Sequence, residues 1–168
     1  MNQPFPGEVP SNVREVTIMT VWPSVAATGF GRFWGRLFAL EYGPRIFGVP
    51  VTLGRLIALA SIPFMLLWYF RMRIPGWHYR LTNRRVVVEN PFGGESKSVA
   101  LDRFDSIQTV VEPGQAWFKA GDLVFRLGQT ETFRISGVPR PETFRQTCLK
   151  ANMSFVGVKQ LRAIGAAV

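Results

Sequence analysis

The chain has 168 residues and a net charge of +9, from 20 Lys+Arg against 11 Asp+Glu. Hydrophobic residues make up 47% and charged residues only 18%, which is apolar for a soluble basic protein and ordinary for a small membrane protein. A basic excess indicates an anionic partner, either nucleic acid or a lipid surface. The single Cys148 and single His78 exclude an intrachain disulfide and most metal or catalytic-triad chemistry. We therefore expect no catalytic residues, no metal, no cofactor and no small-molecule substrate.

The first segment, residues 1–14, holds three prolines and little to bury, and we interpret it as a flexible leader. Residues 16–31 are then uncharged, but Pro23 and two glycines weaken a continuous helix there. A signal peptide is disfavoured because the basic region before it is only Arg14, offset by Glu15. Whether this segment crosses a membrane or only dips into one stays open from the sequence.

A helix over about residues 29–41 is predicted by apolar side chains at i, i+3, i+4, i+7 and i+8. Those side chains are Phe30, Phe33, Trp34, Leu37 and Phe38. Arg32 and Arg36 lie one turn apart on the opposite side. This pattern is typical of a helix in a bilayer interface, with aromatics toward the lipid and arginines among the headgroups. The alternative is an amphipathic helix packed on a protein core.

The next segment, residues 46–70, carries one charge, Arg55. A helix that begins near Pro50 is long enough for a hydrocarbon core of about 30 Å, and Arg55 near its end can extend outward. We predict a transmembrane helix over about residues 50–71, with a buried soluble helix and a re-entrant hairpin as alternatives. An aromatic belt and a basic flank are expected at its far end, formed by Trp68, Tyr69, Arg71 and Arg73.

The orientation of this membrane region, taken as residues 15–74, follows from the positive-inside rule. The arginines that follow the apolar helix are Arg71, Arg73, Arg80, Arg84 and Arg85. They place residue 71 onward in the cytoplasm. The bias is modest because the other flank holds Arg32, Arg36 and Arg45.

From residue 78 to about residue 137 the apolar period changes to two. Six short strands joined mostly by tight turns are predicted, so antiparallel pairing is expected. A helix that begins near Pro141 follows, with an apolar stripe formed by Phe144, Cys148, Ala151 and Phe155. The predicted fold class is α+β: hydrophobic N-terminal helices, then an antiparallel barrel or sandwich with a C-terminal capping helix over residues 76–153, and a tail over residues 154–168.

The runs "YRLTNRRVVVE", "VALDRFDSI", "GDLVF" and "TFRISGV", followed by a Pro-led helix, resemble the second class of bacterial pleckstrin-homology (PH) domains. The resemblance covers roughly residues 70–153. It implies a membrane-anchored, seven-stranded PH barrel with a C-terminal helix, and more about architecture and location than about activity. With six strands visible, we expect a short seventh strand in residues 114–121. Eukaryotic PH domains often bind phosphoinositides around a long first loop, and the short bend at residues 82–84 argues against such a pocket.

The candidate contact residues are basic or aromatic side chains near turns of this domain: Arg80, Arg84, Arg85, Trp117 and Phe118. The arginines could bind anionic headgroups, and the alternative is a solvated strand face. The aromatic pair could form an exposed wedge or pack beneath the barrel. The leading hypothesis is a non-enzymatic membrane-anchored module on the cytoplasmic face that contacts membrane lipids or an unidentified protein. The second is a basic nucleic-acid-binding module, disfavoured by scattered arginines.

Overall fold

The computed structural model describes residues 15–43, 45–46, 49–50, 52–73, 76–90, 92 and 94–165, and the predicted leader lies outside them. The strands are β1 Thr17–Val21, β2 Arg45–Ile46, β3 Val49–Pro50, β4 His78–Thr82, β5 Arg85–Glu89, β6 Glu95–Ala100, β7 Ser106–Val110, β8 Ala120–Leu127 and β9 Thr130–Pro139. The α-helices are α1 Gly29–Phe38, α2 Leu53–Arg73 and α3 Pro141–Gly165.

Two antiparallel sheets form the β domain. One has the order β1-β4-β5-β6, the other has the order β7-β8-β9, and β2 pairs only with β3 in a short separate hairpin. The predicted strands between residues 78 and 137, and their antiparallel pairing, are confirmed. Because successive side chains of a strand point to opposite faces of its sheet, each sheet turns one set of side chains toward the other, and the apolar core lies between the two sheets.

The seventh strand of the two sheets is not where the sequence placed it. Within residues 114–121 the chain forms a 3₁₀ turn over Ala116–Phe118, and β8 then begins at Ala120. The additional strand is β1, which pairs with β4 through Thr20 opposite Arg80 and Val21 opposite Tyr79. The uncharged segment after Glu15 therefore begins as an edge strand of the β domain and not as part of the predicted membrane region.

The core lies between the sheets and is closed by α3. Its largest fully buried apolar side chains are Phe125, Phe144, Leu81, Leu101, Leu123, Ile135, Val86 and Val138. Phe144 and Cys148 lie on the inner face of α3, as the apolar stripe predicted. Cys148 is fully buried and acts as a small apolar core residue. The same burial raises the pKa of its thiol to about 12. The helix continues to Gly165 and so includes most of the segment predicted as a tail.

The chain between β1 and β4 forms a helical hairpin of α1 and α2. α1 ends at Phe38, earlier than predicted, and its first turn is capped by the Thr28 side chain, which accepts a hydrogen bond from the Gly31 N–H. α2 begins at Leu53 and ends at Arg73, close to the predicted bounds. Two backbone hydrogen bonds join the start of α2 to the chain just after α1, from Leu53 N to Tyr42 O at 2.6 Å and from Gly54 N to Leu40 O at 3.2 Å.

Candidate membrane interface

The inner face of α2 packs on α1 through aromatic rings. Phe30 of α1 lies with its ring centroid 4.7 Å from that of Trp68 and 5.8 Å from that of Phe64. Trp34 approaches Phe64 at 6.0 Å. Edge-to-face and tilted contacts at such distances stabilise the pair beyond simple area burial. Since Phe30 meets Trp68 while the end of α1 meets the start of α2, the two helices run antiparallel.

The opposite face of α2 is exposed along its whole length, and we call it the outward face. Its large apolar members are Leu56, Leu59, Ile62, Leu66, Leu67 and Phe70. Leu59 is 66% exposed and Leu67 is 70% exposed, which is far from the usual burial of leucine in a core. The 21 residues of α2 extend over about 31 Å. The outward face is therefore one continuous apolar surface and not a set of single exposed residues.

The arginines of α1 contact groups of the protein, whereas the sequence predicts that they face lipid headgroups. Arg32 forms an ion pair with Glu112. Arg36 Nε donates to the Pro113 carbonyl oxygen at 3.3 Å. This arrangement agrees with the alternative for α1, a helix packed on a protein core. Its one strongly exposed aromatic residue is Phe33, which is 55% exposed and remains a predicted membrane contact.

Two glycines allow α1 to lie directly on the segment between β7 and β8. A Cβ atom at Gly35 would come within 2.0 Å of the Gly114 carbonyl oxygen. Gly114 has a φ of +92°, and a Cβ atom there would come within 2.1 Å of the Arg32 carbonyl oxygen, so both the space and the backbone angle require glycine there. α1 is therefore held backbone to backbone against the β domain.

The buried carboxylate of Asp122 joins the segment between β7 and β8 to strand β9. Asp122, 1% exposed, accepts hydrogen bonds from Gln115 Nε2 at 2.6 Å, from the Gly137 N–H at 3.0 Å and from Arg134 Nη2 at 2.8 Å. Burial alone would raise the pKa of Asp122, but these hydrogen bonds outweigh it and lower that pKa. Arg134 also donates to Glu112 at 3.0 Å. Because Glu112 pairs with Arg32, these charged side chains connect the sheet to α1.

The three arginines predicted to bind lipid are only partly available. Arg80 forms an ion pair with Glu89. Arg85 contacts Glu15 at 2.8 Å and Glu95 at 2.7 Å, while Arg84 is exposed. The hydrogen bond from Arg85 is the main cause that lowers the pKa of Glu15 to about 2. The structure thus shows no single cluster of open cations at the β4–β5 bend, and headgroup contact by these arginines stays a prediction.

The other predicted pair, Trp117 and Phe118, lies beside α1. Their rings approach the Phe38 ring at 4.8 and 6.2 Å, so both pack at least partly on protein. Trp117 remains 46% exposed.

A second aromatic cluster lies at the C-terminal end of α2. The Arg73 guanidinium lies 5.1 Å from the Trp22 ring centroid, and its Nη1 donates to the Tyr69 hydroxyl at 3.1 Å. Trp22 in turn lies 5.0 Å from the His78 ring, and His78 Nε2 contacts Glu89 at 2.7 Å. Sequence reasoning missed Trp22 because it follows β1, a strand that was not recognised.

The bacterial PH domain family matches residues 27–152, about three quarters of the chain. The chain belongs to this family. No curated protein and no solved structure matches it. The match confirms the resemblance seen in the sequence and takes in both α1 and α2, whereas β1 of the PH domain lies before the matched residues.

One helix in the described part of this PH-domain chain is long and apolar enough to cross a membrane, judged by length and composition. It is Leu53–Arg71, and 11% of its most apolar window is buried. α1, at 10 residues, is shorter. The expectation of several hydrophobic helices before the PH domain therefore reduces to one such helix, inserted between the first two strands of the larger sheet.

Proposed function

We propose that this chain is a non-enzymatic, membrane-attached PH-domain protein. Its PH domain would be held at the cytoplasmic face of a bacterial inner membrane, where it contacts a protein partner or the anionic lipid surface. PH-like domains generally serve as protein- or lipid-interaction modules, and that general role comes with the family match. The observation that carries the membrane attachment is the outward face of α2.

The energetics favour lipid over water for this face. Complete burial of a leucine or phenylalanine side chain stabilises by about 1.5–3 kcal/mol. Leu59 and Leu67 keep about two thirds of their surface outside the protein. A row of such side chains along about 31 Å of helix would therefore gain several kcal/mol in a bilayer.

The charge distribution supports an anionic leaflet over nucleic acid. The outward face is uncharged between Arg55 in the first turn of α2 and Arg71 in the last, which suits lipid and not a phosphate backbone. The arginines Arg80 and Arg85, which a nucleic-acid site would need, contact carboxylates of the same chain. The cytoplasmic placement rests on the arginines that follow α2, according to the positive-inside rule.

The chemistry of the reactive side chains supports a role without catalysis. Within the described residues, no group of three or more His, Cys, Asp or Glu side chains could hold a metal ion. The Cys148 thiol is buried, and its raised pKa disfavours the nucleophilic thiolate. His78 is already engaged by Glu89 and Trp22. Packing and ion pairing therefore account for the positions of Cys148 and His78.

The experiment is flotation of the detergent-purified full chain with vesicles of phosphatidylcholine and phosphatidylglycerol. The wild type is expected to float, and a Leu59→Glu/Leu67→Glu variant should float several-fold less. The matched control is Leu127→Glu/Phe92→Glu, which puts the same two charges on exposed apolar residues of the PH domain, one at the end of β8 and one in the turn between β5 and β6. Wild-type protein that stays at the bottom of the gradient, or equal loss in both variants, would overturn the membrane attachment through α2.

A further inference from the structure

We propose that α2 lies in the plane of an anionic membrane leaflet and does not cross the bilayer. This inference rests on the proposed membrane attachment and specifies its geometry. It departs from the transmembrane helix that length and hydropathy alone predict. Four features of the fold carry it: the pairing of β1 with β4, the fixation of α1, the anchoring of both ends of α2, and the outward face itself.

The first feature is the strand pairing on either side of the hairpin. Val21, at the end of β1, pairs with Tyr79, at the start of β4. The chain therefore leaves the PH domain at residue 22 and returns at residue 77 beside the same point of one sheet. A segment whose two ends meet in this way can cross a membrane only an even number of times. A single crossing by α2 needs a second crossing within the same segment.

The second feature is that α1 is unable to supply this return crossing. Its 10 residues extend over only about 15 Å, half of a hydrocarbon core. It is also fixed to the PH domain along its length. Arg32 pairs with Glu112, Gly35 lies against Gly114, and Phe38 packs on Trp117.

The third feature is that both ends of α2 are attached to the same body. Its N-terminus is tied to the end of α1 by the Leu53 and Gly54 hydrogen bonds, and a Cβ atom at Gly54 would come within 2.3 Å of the Phe38 carbonyl oxygen. Its C-terminus is tied to the PH domain by Arg73, whose guanidinium lies over the Trp22 ring. An upright helix would have to separate from the domain at one of these ends.

The fourth feature is the chemistry of the face that the hairpin leaves uncovered. An in-plane helix needs one apolar face along its entire length, with cations positioned at headgroup level. The outward face meets this need, and α2 carries Arg55 in its first turn and Arg71 in its last. The chain's net charge of +9 favours an anionic leaflet as the occupant.

The experiment measures depth in the bilayer with nitroxide labels on single added cysteines at Leu56, Leu59, Ile62 and Phe70, in proteoliposomes of the full chain. The native Cys148 is fully buried and can stay in place, with the wild type as the background control. An in-plane helix should give similar, shallow depths at all four positions. A crossing helix should place Ile62 about 9 Å deeper than Leu56, at 1.5 Å per residue. That graded profile would overturn the proposal.

A second readout keeps the outcomes distinguishable. Tyr42→Cys, before α2, and Gln129→Cys, in the β8–β9 turn, should react with a membrane-impermeant maleimide from the same side of the vesicle. Reaction from opposite sides would overturn the in-plane geometry while the membrane attachment stands. Labels on the outward face that meet a second copy of the chain instead of lipid, seen as label–label coupling with no lipid exposure, would overturn it as well. Failure of the protein to bind vesicles at all would instead count against the proposed function.

Discussion

The Arg32 guanidinium in α1 forms an ion pair with the Glu112 carboxylate, 80 residues further along the chain. Glu112 also accepts a hydrogen bond from Arg134, which contacts the buried Asp122. A helix from the most hydrophobic part of the chain is thus connected through four charged side chains to the interior of the PH domain. The position of the α1–α2 hairpin therefore depends on the domain's polar network as well as on its apolar packing.

Removal of the Glu112 carboxylate should loosen this connection. In Glu112→Gln, the ion pair with Arg32 is lost while Asp122 still holds Arg134. Both side chains of the Arg32–Glu112 pair keep about 30% of their surface exposed, so we expect a loss of only about 0.5–1 kcal/mol in the free energy of unfolding. Urea unfolding followed by tryptophan fluorescence measures this. The control is Glu131→Gln on the exposed end of β9, and a Glu112→Gln curve that coincides with it would contradict the prediction.

The buried Asp122 should matter more than any surface charge. Asp122→Asn keeps the volume but replaces one carboxylate oxygen by an NH2 donor. That donor must face either Gln115 Nε2 and the Gly137 N–H or the Arg134 guanidinium, all of which are donors themselves. Because buried charges that lose their partner are costly, we expect a loss of about 2–4 kcal/mol in unfolding free energy. Asp105→Asn, an exposed loop carboxylate that accepts from the Gly128 N–H, should leave the midpoint nearly unchanged. Equal midpoints for the two variants would show that the Asp122 network is dispensable.

The apolar period and turn residues were enough to predict most of the β domain, because strands β4 to β9 are short, consecutive and joined by local turns. β1 was missed because its partner β4 lies some 60 residues later and because Ile18, like Val16 just before the strand, stays exposed. A long, uncharged, half-exposed segment next to an apolar helix has the composition of a membrane segment. Only the long-range pairing shows that it is a sheet edge.

The site residues were predicted unevenly for a related reason. Charge and aromatic content are visible in the sequence, but the partner of each side chain is not. Arg32 and Arg36 have the spacing of a headgroup-facing stripe. In the structure, however, Arg32 pairs with Glu112 and Arg36 donates to the Pro113 carbonyl oxygen. The outward face of α2 could be predicted without knowing which residues contact it, because the helix is apolar on all sides and α1 covers only one of them.

Acid should weaken the attachment of β1 to the sheet. Glu15 has an ordinary pKa near 4.5 and a folded-state pKa of about 2, held down chiefly by the hydrogen bond from Arg85. A group whose pKa is lowered on folding contributes stability above its unfolded value, and that contribution is lost as the pH falls through the folded value. The stability from this pair should thus be full above about pH 5 and fade toward pH 2. Urea midpoints measured from pH 6 to pH 2.5 should fall more steeply for the wild type than for Arg85→Gln, and parallel slopes would contradict the assignment.

The close approach of Gly35 to Gly114 predicts a sharp difference between two glycines of the same helix. In Gly35→Ala, the new methyl group would meet the Gly114 carbonyl oxygen at 2.0 Å, a backbone atom with no room to move aside. α1 must then lift from the segment between β7 and β8, which should cost roughly 1–3 kcal/mol as an overpacked contact. Gly29→Ala, at the start of the same helix, meets nothing within 4 Å and should be neutral or slightly stabilising because alanine favours helix. Thermal unfolding of both variants tests the packing itself.

Vesicle binding and a label on Tyr42→Cys add a second test, because α2 is joined to the PH domain through α1. The Gly35→Ala variant should still float with vesicles through the outward face of α2. A label on Tyr42→Cys should, however, lose the fixed position relative to the PH domain that it has when Gly35 is present. If Gly35→Ala unfolds like Gly29→Ala, α1 is not seated on the domain, and the proposed in-plane placement of α2 loses the fixation of α1 on which it rests.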